Sequence, residues 1–228
     1  MAYILCIETA TEICSVAIAF NGETIAIEND FSGNSHASQL HVMVEKVLRK
    51  AKITFKDLNA VAISKGPGSY TGLRVGVSAA KGYCYVLNIP LIAINTLQSL
   101  ANGYLMQNPN YSGLICPMID ARRMEVYCAV FDRNLNEILP TQAKIIDEHS
   151  FANELAQNEI VFIGNGAEKC NGKFETQNPK FEIGYVCNAT YLSSLAHKAF
   201  EQKQFEDVAY FEPYYLKDFV GTVAKKLV

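Results

Sequence analysis

Between Ala62 and Gly82 the chain reads AISKGPGSYTGLRVGVSAAKG, and this stretch concentrates residues whose types and spacing suit an anion. Val61 to Ser64 reads as a strand. It enters the loop Lys65-Gly66-Pro67-Gly68-Ser69-Tyr70, which opens a long helix near Thr71. Glycine lets a backbone turn tightly or approach another group, and proline stiffens the path between two such turns. Unpaired amides at the start of the helix carry the positive end of its dipole, so a phosphate held by Gly66, Gly68 and Ser69 is one reading. A strand-to-helix turn that uses glycine for geometry alone is the other.

Other candidate chemistry is thinner. Gly68-Ser69-Tyr70-Thr71-Gly72 lacks the glycine two residues before the serine, so it is not a nucleophile elbow. His36 and His41 stand five apart, a poor spacing for two metal ligands on one helical face. His149 and His197 have no acidic or histidine neighbour at useful spacing and read as surface residues. Asp120-Ala121-Arg122-Arg123 ends a strand, where it either binds an anion or braces a turn. Seven cysteines form no CxxC pair and mostly sit in apolar runs, as small core residues in a reducing compartment do.

These residues must be positioned by an α/β scaffold. Tyr3–Glu8, Cys14–Phe20 and Thr24–Glu28 read as three strands, with Asn21-Gly22 as a hairpin turn between the last two. Thr9-Ala10-Thr11-Glu12, rich in hydroxyls, links the first pair. Leu40, Val44, Val47, Leu48 and Ala51 recur at helical spacing between Ser38 and Ala51. A strand at Ala60–Ser64, the glycine loop with its helix, a strand at Leu91–Ile94 and a helix at Thr96–Leu105 follow. Asn108-Pro109-Asn110-Tyr111-Ser112-Gly113 is the candidate boundary, dividing the chain into an N-terminal lobe, 1–108, and a C-terminal lobe, 109–228. The extreme C-terminus is expected to pack back on the first lobe. Beyond the boundary lie a strand pair (Leu114–Asp120, Glu125–Phe131), a helix near Ser150–Gln157, a strand at Ile160–Ile163 and a helix at Tyr191–Gln202. The second pair hints at an internal duplication.

Half of the 228 residues are hydrophobic, and the formal net charge is −3. No basic stripe is visible, so contact with RNA is expected to be shared with a partner. No apolar run reaches the roughly 18 residues of a membrane span, and a cytoplasmic protein is expected.

The helix after the glycine loop carries two apolar stripes. Leu73, Val77, Ala80, Cys84 and Leu87 form one; Val75, Ala79, Gly82 and Val86, mostly small, form the other. A helix apolar on two faces is sandwiched or docks another molecule, and small residues admit a close approach. Arg74 and Lys81 keep a polar edge, which favours docking. The candidate interface is Leu40, Val44, Val47, Arg74, Val75, Ser78, Ala79, Gly82 and Val86.

Taken together, ILCIETATEICSVAI, HASQLH, ISKGPGSYTGLRVGVSAAKG and IDARRMEVYCAVF resemble the bacterial TsaB (YeaZ) family, related to the catalytic TsaD family. The likeness covers roughly the first 135 residues and returns at PYYLK near the end. It implies the actin-like ATPase (ASKHA) fold: two lobes, each with a mixed sheet and flanking helices. It also implies a role in making threonylcarbamoyladenosine beside the anticodon of tRNAs reading ANN codons. In that role the family partners and supports TsaD, with TsaE as an ATPase joining the complex. A homodimer is the other expected assembly, and tRNA is met only through the complex.

The resemblance also marks what this chain lacks. In the catalytic family an N-H-x-x-x-H segment follows the shared helix, and both histidines bind the metal. Here Thr96 and Leu100 stand at those positions, and neither is a competent ligand for a divalent transition metal. The superfamily's first-strand aspartate is Glu8 here, one methylene longer. Glu8, Thr9, Thr11, Gly66, Gly68 and Ser69 are therefore expected to be a vestigial nucleotide loop. ATP or ADP binding is expected to be weak at most or confined to a complex interface, with no cofactor required and no metal. The expectation is a non-catalytic scaffold; the alternative is an autonomous nucleotide-dependent carbamoyltransferase or glycopeptidase-like enzyme.

Overall fold

The computed structural model describes residues 1–33, 36–174 and 179–217. The chain opens with β1 (Tyr3–Glu8), β2 (Cys14–Phe20) and β3 (Glu23–Asp30), an antiparallel meander. Its second turn is Asn21-Gly22, both at positive φ (50° and 88°), as the hairpin signal requires. Helix α1 (His36–Ala51) returns the chain to β4 (Ala60–Gly66), parallel to β1; α2 (Tyr70–Leu87) then leads to β5 (Leu91–Asn95), parallel to β4. The sheet order is β3-β2-β1-β4-β5. β1 is central and covered on both faces. Leu5 and Ile7 point to the α1 and α2 side, while Ile4 and Cys6 point to the opposite layer, so the strand reads as one apolar run.

Helix α3 (Thr96–Gln107) begins at Asn95, whose side chain accepts from the amides of Leu97 and Gln98. The second sheet repeats the first. β6 (Leu114–Asp120), β7 (Glu125–Phe131) and β8 (Glu137–Ile145) form a meander; α4 (Ala152–Gln157) leads to β9 (Ile160–Ile163), and β10 (Lys180–Glu182) lies beyond it. Its order, β10-β9-β6-β7-β8, matches the first strand for strand, with a parallel pair on one side and an antiparallel pair on the other. The duplication hinted at by the sequence is thus one of topology.

The helices are exchanged between the sheets. α3 follows β5 but buries Leu97, Leu100, Ala101 and Tyr104 against β6, β7 and β9 of the second sheet. α5 (Ser193–Glu201) follows the second sheet but buries Ala196 and Ala199 against the first. Sheet membership changes between β5 and β6, and helix packing does not follow the same division. His197 on α5 is half-buried against Gly22 and lies 3.4 Å from Glu201 one turn on, so it is neither a surface residue nor without an acidic neighbour.

The chain then runs back along the first sheet as a strap. Glu206 N bonds to Leu91 O at 2.9 Å, Lys81 Nζ donates to the carbonyls of Ala209 and Phe211 at 3.1 and 2.9 Å, and Tyr214 N donates to Lys65 O at 2.7 Å. Lys217 pairs with Glu125 at the start of β7. The sequence also carries a small basic tail, Lys225-Lys226, which lies outside the described residues.

Candidate docking site

Helix α2 is fixed at both ends by its own sequence. Ser69 is the N-cap, its Oγ accepting from Gly72 N at 3.3 Å, and Asn88 ends the helix in the left-handed region at φ 54°. Gly72, Leu73, Gly76, Val77, Ala80 and Cys84 face the sheet and are buried. The second stripe does not. Val75 and Ala79 are half-buried, Ser78 and Gly82 are exposed, and Val86 keeps 79% of its surface. A Cβ on Gly82 would meet nothing within 4 Å.

This open face borders a groove of about 850 Å³ between α1 and α2. Arg74, Val75, Ser78, Ala79, Gly82 and Val86, all expected at an interface, line it. The three expected from α1 do not. Leu40, Val44 and Val47 are fully buried against the sheet, so they present no atom to a partner. The apolar stripe of α1 is its core face, and its contribution to the groove is Ala37 and His41 from the flank. Sequence reasoning also missed Phe55 and Tyr83. Their rings stack at 5.6 Å, and the Tyr83 hydroxyl bonds His41 Nδ1 at 2.7 Å. Burial and the nearby Glu45 push the Tyr83 hydroxyl up to about 12, so it stays neutral. Tyr85 beside them is 82% exposed. The signal was present as three large side chains, Tyr83, Tyr85 and Val86, outside the core stripe of α2.

The candidate phosphate loop folds onto itself. Ser69 N donates to Ala10 O at 2.6 Å, and Thr9 Oγ1 donates to Gly72 O at 2.9 Å. A Cβ at Gly68 would overlap the Ala10 carbonyl, and one at Gly72 the Thr9 carbonyl. Glycine here permits two backbone segments to touch. Within the first turn, Gly72 N donates to Ser69 Oγ, and Leu73 N makes the first helical bond to Ser69 O. His36 Nε2 donates to Thr11 O at 2.7 Å, which ties the start of α1 to the same turn.

Glu8 is fully buried. Its Oε1 accepts from Ala10 N and Ser64 Oγ, both at 2.7 Å, while Oε2 has no partner among the described residues. Burial raises its carboxyl from 4.5 to about 7, against the opposing effect of those hydrogen bonds. Thr11 Oγ1 is likewise buried without a partner there. Where this turn meets the second sheet, at Glu12, Asn165 and Cys187, the space lacks room for a water molecule.

Thr96 Oγ1 accepts from Gly66 N at 3.1 Å, and Leu100 is buried in the second core. Both positions are thus filled by packing residues. Among the described residues, no three His, Cys, Asp or Glu side chains converge, and no helix is long and apolar enough to cross a membrane.

Two topologically equivalent mixed sheets, each a meander extended by parallel strands with helices between, define a member of the actin-like ATPase fold. The family model for TsaD, tRNA N6-adenosine threonylcarbamoyltransferase, matches residues 29–225. Within that group the chain belongs to the TsaB (YeaZ) family. It is 36% identical to the Escherichia coli tRNA threonylcarbamoyladenosine biosynthesis protein TsaB over 135 residues, 59% of this chain and 57% of that protein. It is 28% identical to the protein so named in Haemophilus influenzae over 228 residues, 94% of this chain and 93% of the other. The alignment thus spans a little over half of the first relative and nearly all of the second. The structure of YeaZ from Pseudomonas aeruginosa superposes with a TM-score of 0.79 at 23% identity, covering 95% of this chain and 100% of that one.

Proposed function

We propose that this chain is a non-catalytic subunit of the machinery that installs threonylcarbamoyl on tRNA, docking and supporting a TsaD-type catalytic subunit through the α1–α2 groove. The observation that carries this reading is the open, small-residue face of α2, Val75, Ala79, Gly82 and Val86, beside a large apolar groove. An exposed apolar surface on a stable scaffold is a docking surface. The positions that hold metal-binding histidines in the catalytic family are Thr96 and Leu100, both engaged in packing. The tight contact between the β1–β2 turn and the Gly68-Ser69 loop supports a role that needs no bound cofactor, with nucleotide contact at most weak or shared with a partner. In this reading TsaE joins the pair, tRNA is met through the complex, and the work is done in the cytosol, which suits seven unpaired buried thiols.

The test mixes the purified chain with the TsaD-type subunit of the same organism and follows association by calorimetry and threonylcarbamoyl transfer to tRNA. Association and transfer only with both subunits are expected, and Gly82→Arg is expected to abolish both while leaving the melting temperature of the isolated chain unchanged. Turnover by the chain alone would replace this reading with an autonomous enzyme.

A further inference from the structure

Arg74 is the cation on the groove wall, and it is exposed. Among the described residues, no carboxylate forms an ion pair with it. Its guanidinium lies over the Tyr70 ring, 5.4 Å from the centroid, and donates a long 3.4 Å hydrogen bond to the Tyr70 hydroxyl. Tyr70 in turn packs on Tyr215, ring centroids 4.7 Å apart. Tyr215 belongs to the returning strap, fixed on one side by Tyr214 N on Lys65 O and on the other by Lys217 with Glu125. Glu212, which also lies near Tyr215, makes no ion pair with Arg74.

A guanidinium at the edge of an apolar groove loses water when the groove is filled, and an opposite charge on the occupant offsets that loss most fully. An arginine already held over an aromatic ring surrenders less freedom on pairing than a loose one. We propose that the catalytic subunit filling this groove brings a carboxylate to Arg74, and that Tyr215 is a positioning residue that aims the guanidinium through Tyr70. The proposal rests on the reading under Proposed function and adds the chemistry of the partner's matching surface: an apolar stripe flanked by an acid. It also gives the strap, which touches none of the groove, a part in recognition.

The test measures the dissociation constant of the full chain with the purified catalytic subunit at low and high salt. Arg74→Ala is expected to weaken binding about 10- to 100-fold and to flatten the salt dependence, as loss of a desolvated charge pair does. Tyr215→Ala is expected to weaken it about 5-fold while Tyr215→Phe, which keeps the ring, restores it; residues acting as one unit are non-additive. In the Arg74→Ala background, Tyr215→Ala should therefore add no further loss. Circular dichroism melts of each variant, compared with the parent, show that folding is intact. Binding of Arg74→Ala within about twofold of the parent, or independent losses from the two substitutions, overturns the proposal while leaving the docking reading intact if Gly82→Arg still abolishes association. Absence of association by the unsubstituted chain overturns both.

Discussion

The Thr9 hydroxyl donates to the Gly72 carbonyl across 2.9 Å, joining the β1–β2 turn to the first turn of α2. One turn further along, Gly76 leaves the space that the same threonine occupies. The helix that walls the groove is therefore seated on the β1–β2 connection.

Two glycines of α2 are expected to respond in opposite directions. Gly76→Ala places a methyl group into the Thr9 hydroxyl and against Ile63, and overpacking of this kind costs about 1–3 kcal/mol. Gly82→Ala meets nothing and removes an exposed helical glycine, a gain of up to about 1 kcal/mol. Urea midpoints of the two variants, measured on the isolated chain, check both signs.

Glu8 makes stability fall as pH rises. The unfolded chain releases this proton near 4.5, while the folded chain holds it to about 7. Between those values the unfolded state ionises first, so folding weakens steadily, and above about 7 the loss is complete. The interval corresponds to about 3 kcal/mol at most. Glu8→Gln keeps the acceptor for Ala10 N and Ser64 Oγ without the charge. The difference in unfolding free energy between parent and variant should shift in favour of the variant from about pH 4.5 to about pH 7. Parallel curves would show that Glu8 does not titrate across this window.

Val44 and Val86 separate folding from docking. Val44 is fully buried in the first core, so Val44→Ala costs about 2 kcal/mol of stability and leaves the groove walls in place. Val86→Asp on the exposed stripe leaves stability within about 0.5 kcal/mol yet weakens association with the catalytic subunit at least about tenfold. Thermal melts and calorimetry on the same two proteins measure the pair of effects. Equal binding by Val86→Asp and the parent would remove α2 from the interface.

The cysteines should be inert in the native protein. All seven are buried, and burial pushes Cys6, Cys14, Cys84 and Cys128 up to about 12. Iodoacetamide at mildly alkaline pH is expected to label none of them in the native chain and all seven in denaturant, counted by intact mass. Rapid native labelling of any one would mark a local opening of its core.

Much of the scaffold was legible because local rules decide it. Asn21-Gly22 accepts positive φ, α1 and α2 carry helical apolar spacing, and the buried strands β1 and β4 read as unbroken apolar runs. The misses have physical causes. β8 escaped notice because it is an edge strand carrying Pro140 and polar residues, with no apolar alternation for a reader to follow. Leu40, Val44 and Val47 were assigned to an interface because a helical stripe states that a face is buried without stating against what. On α2 two stripes competed: one faces the sheet, and the small-residue stripe lines the groove. The groove itself joins Phe55 and His41 to Tyr83 across nearly 30 or more positions of sequence, a relationship no local pattern encodes.

The exchange of helices between the two sheets has a consequence for how the molecule is made. A ribosome delivers the first sheet long before α5 and the strap that cover it, and delivers α3 before the sheet on which it rests. Each half of the nascent chain therefore exposes an apolar layer until the other arrives. The strands of the first sheet reach their final surroundings only when α5 and the strap have closed over them.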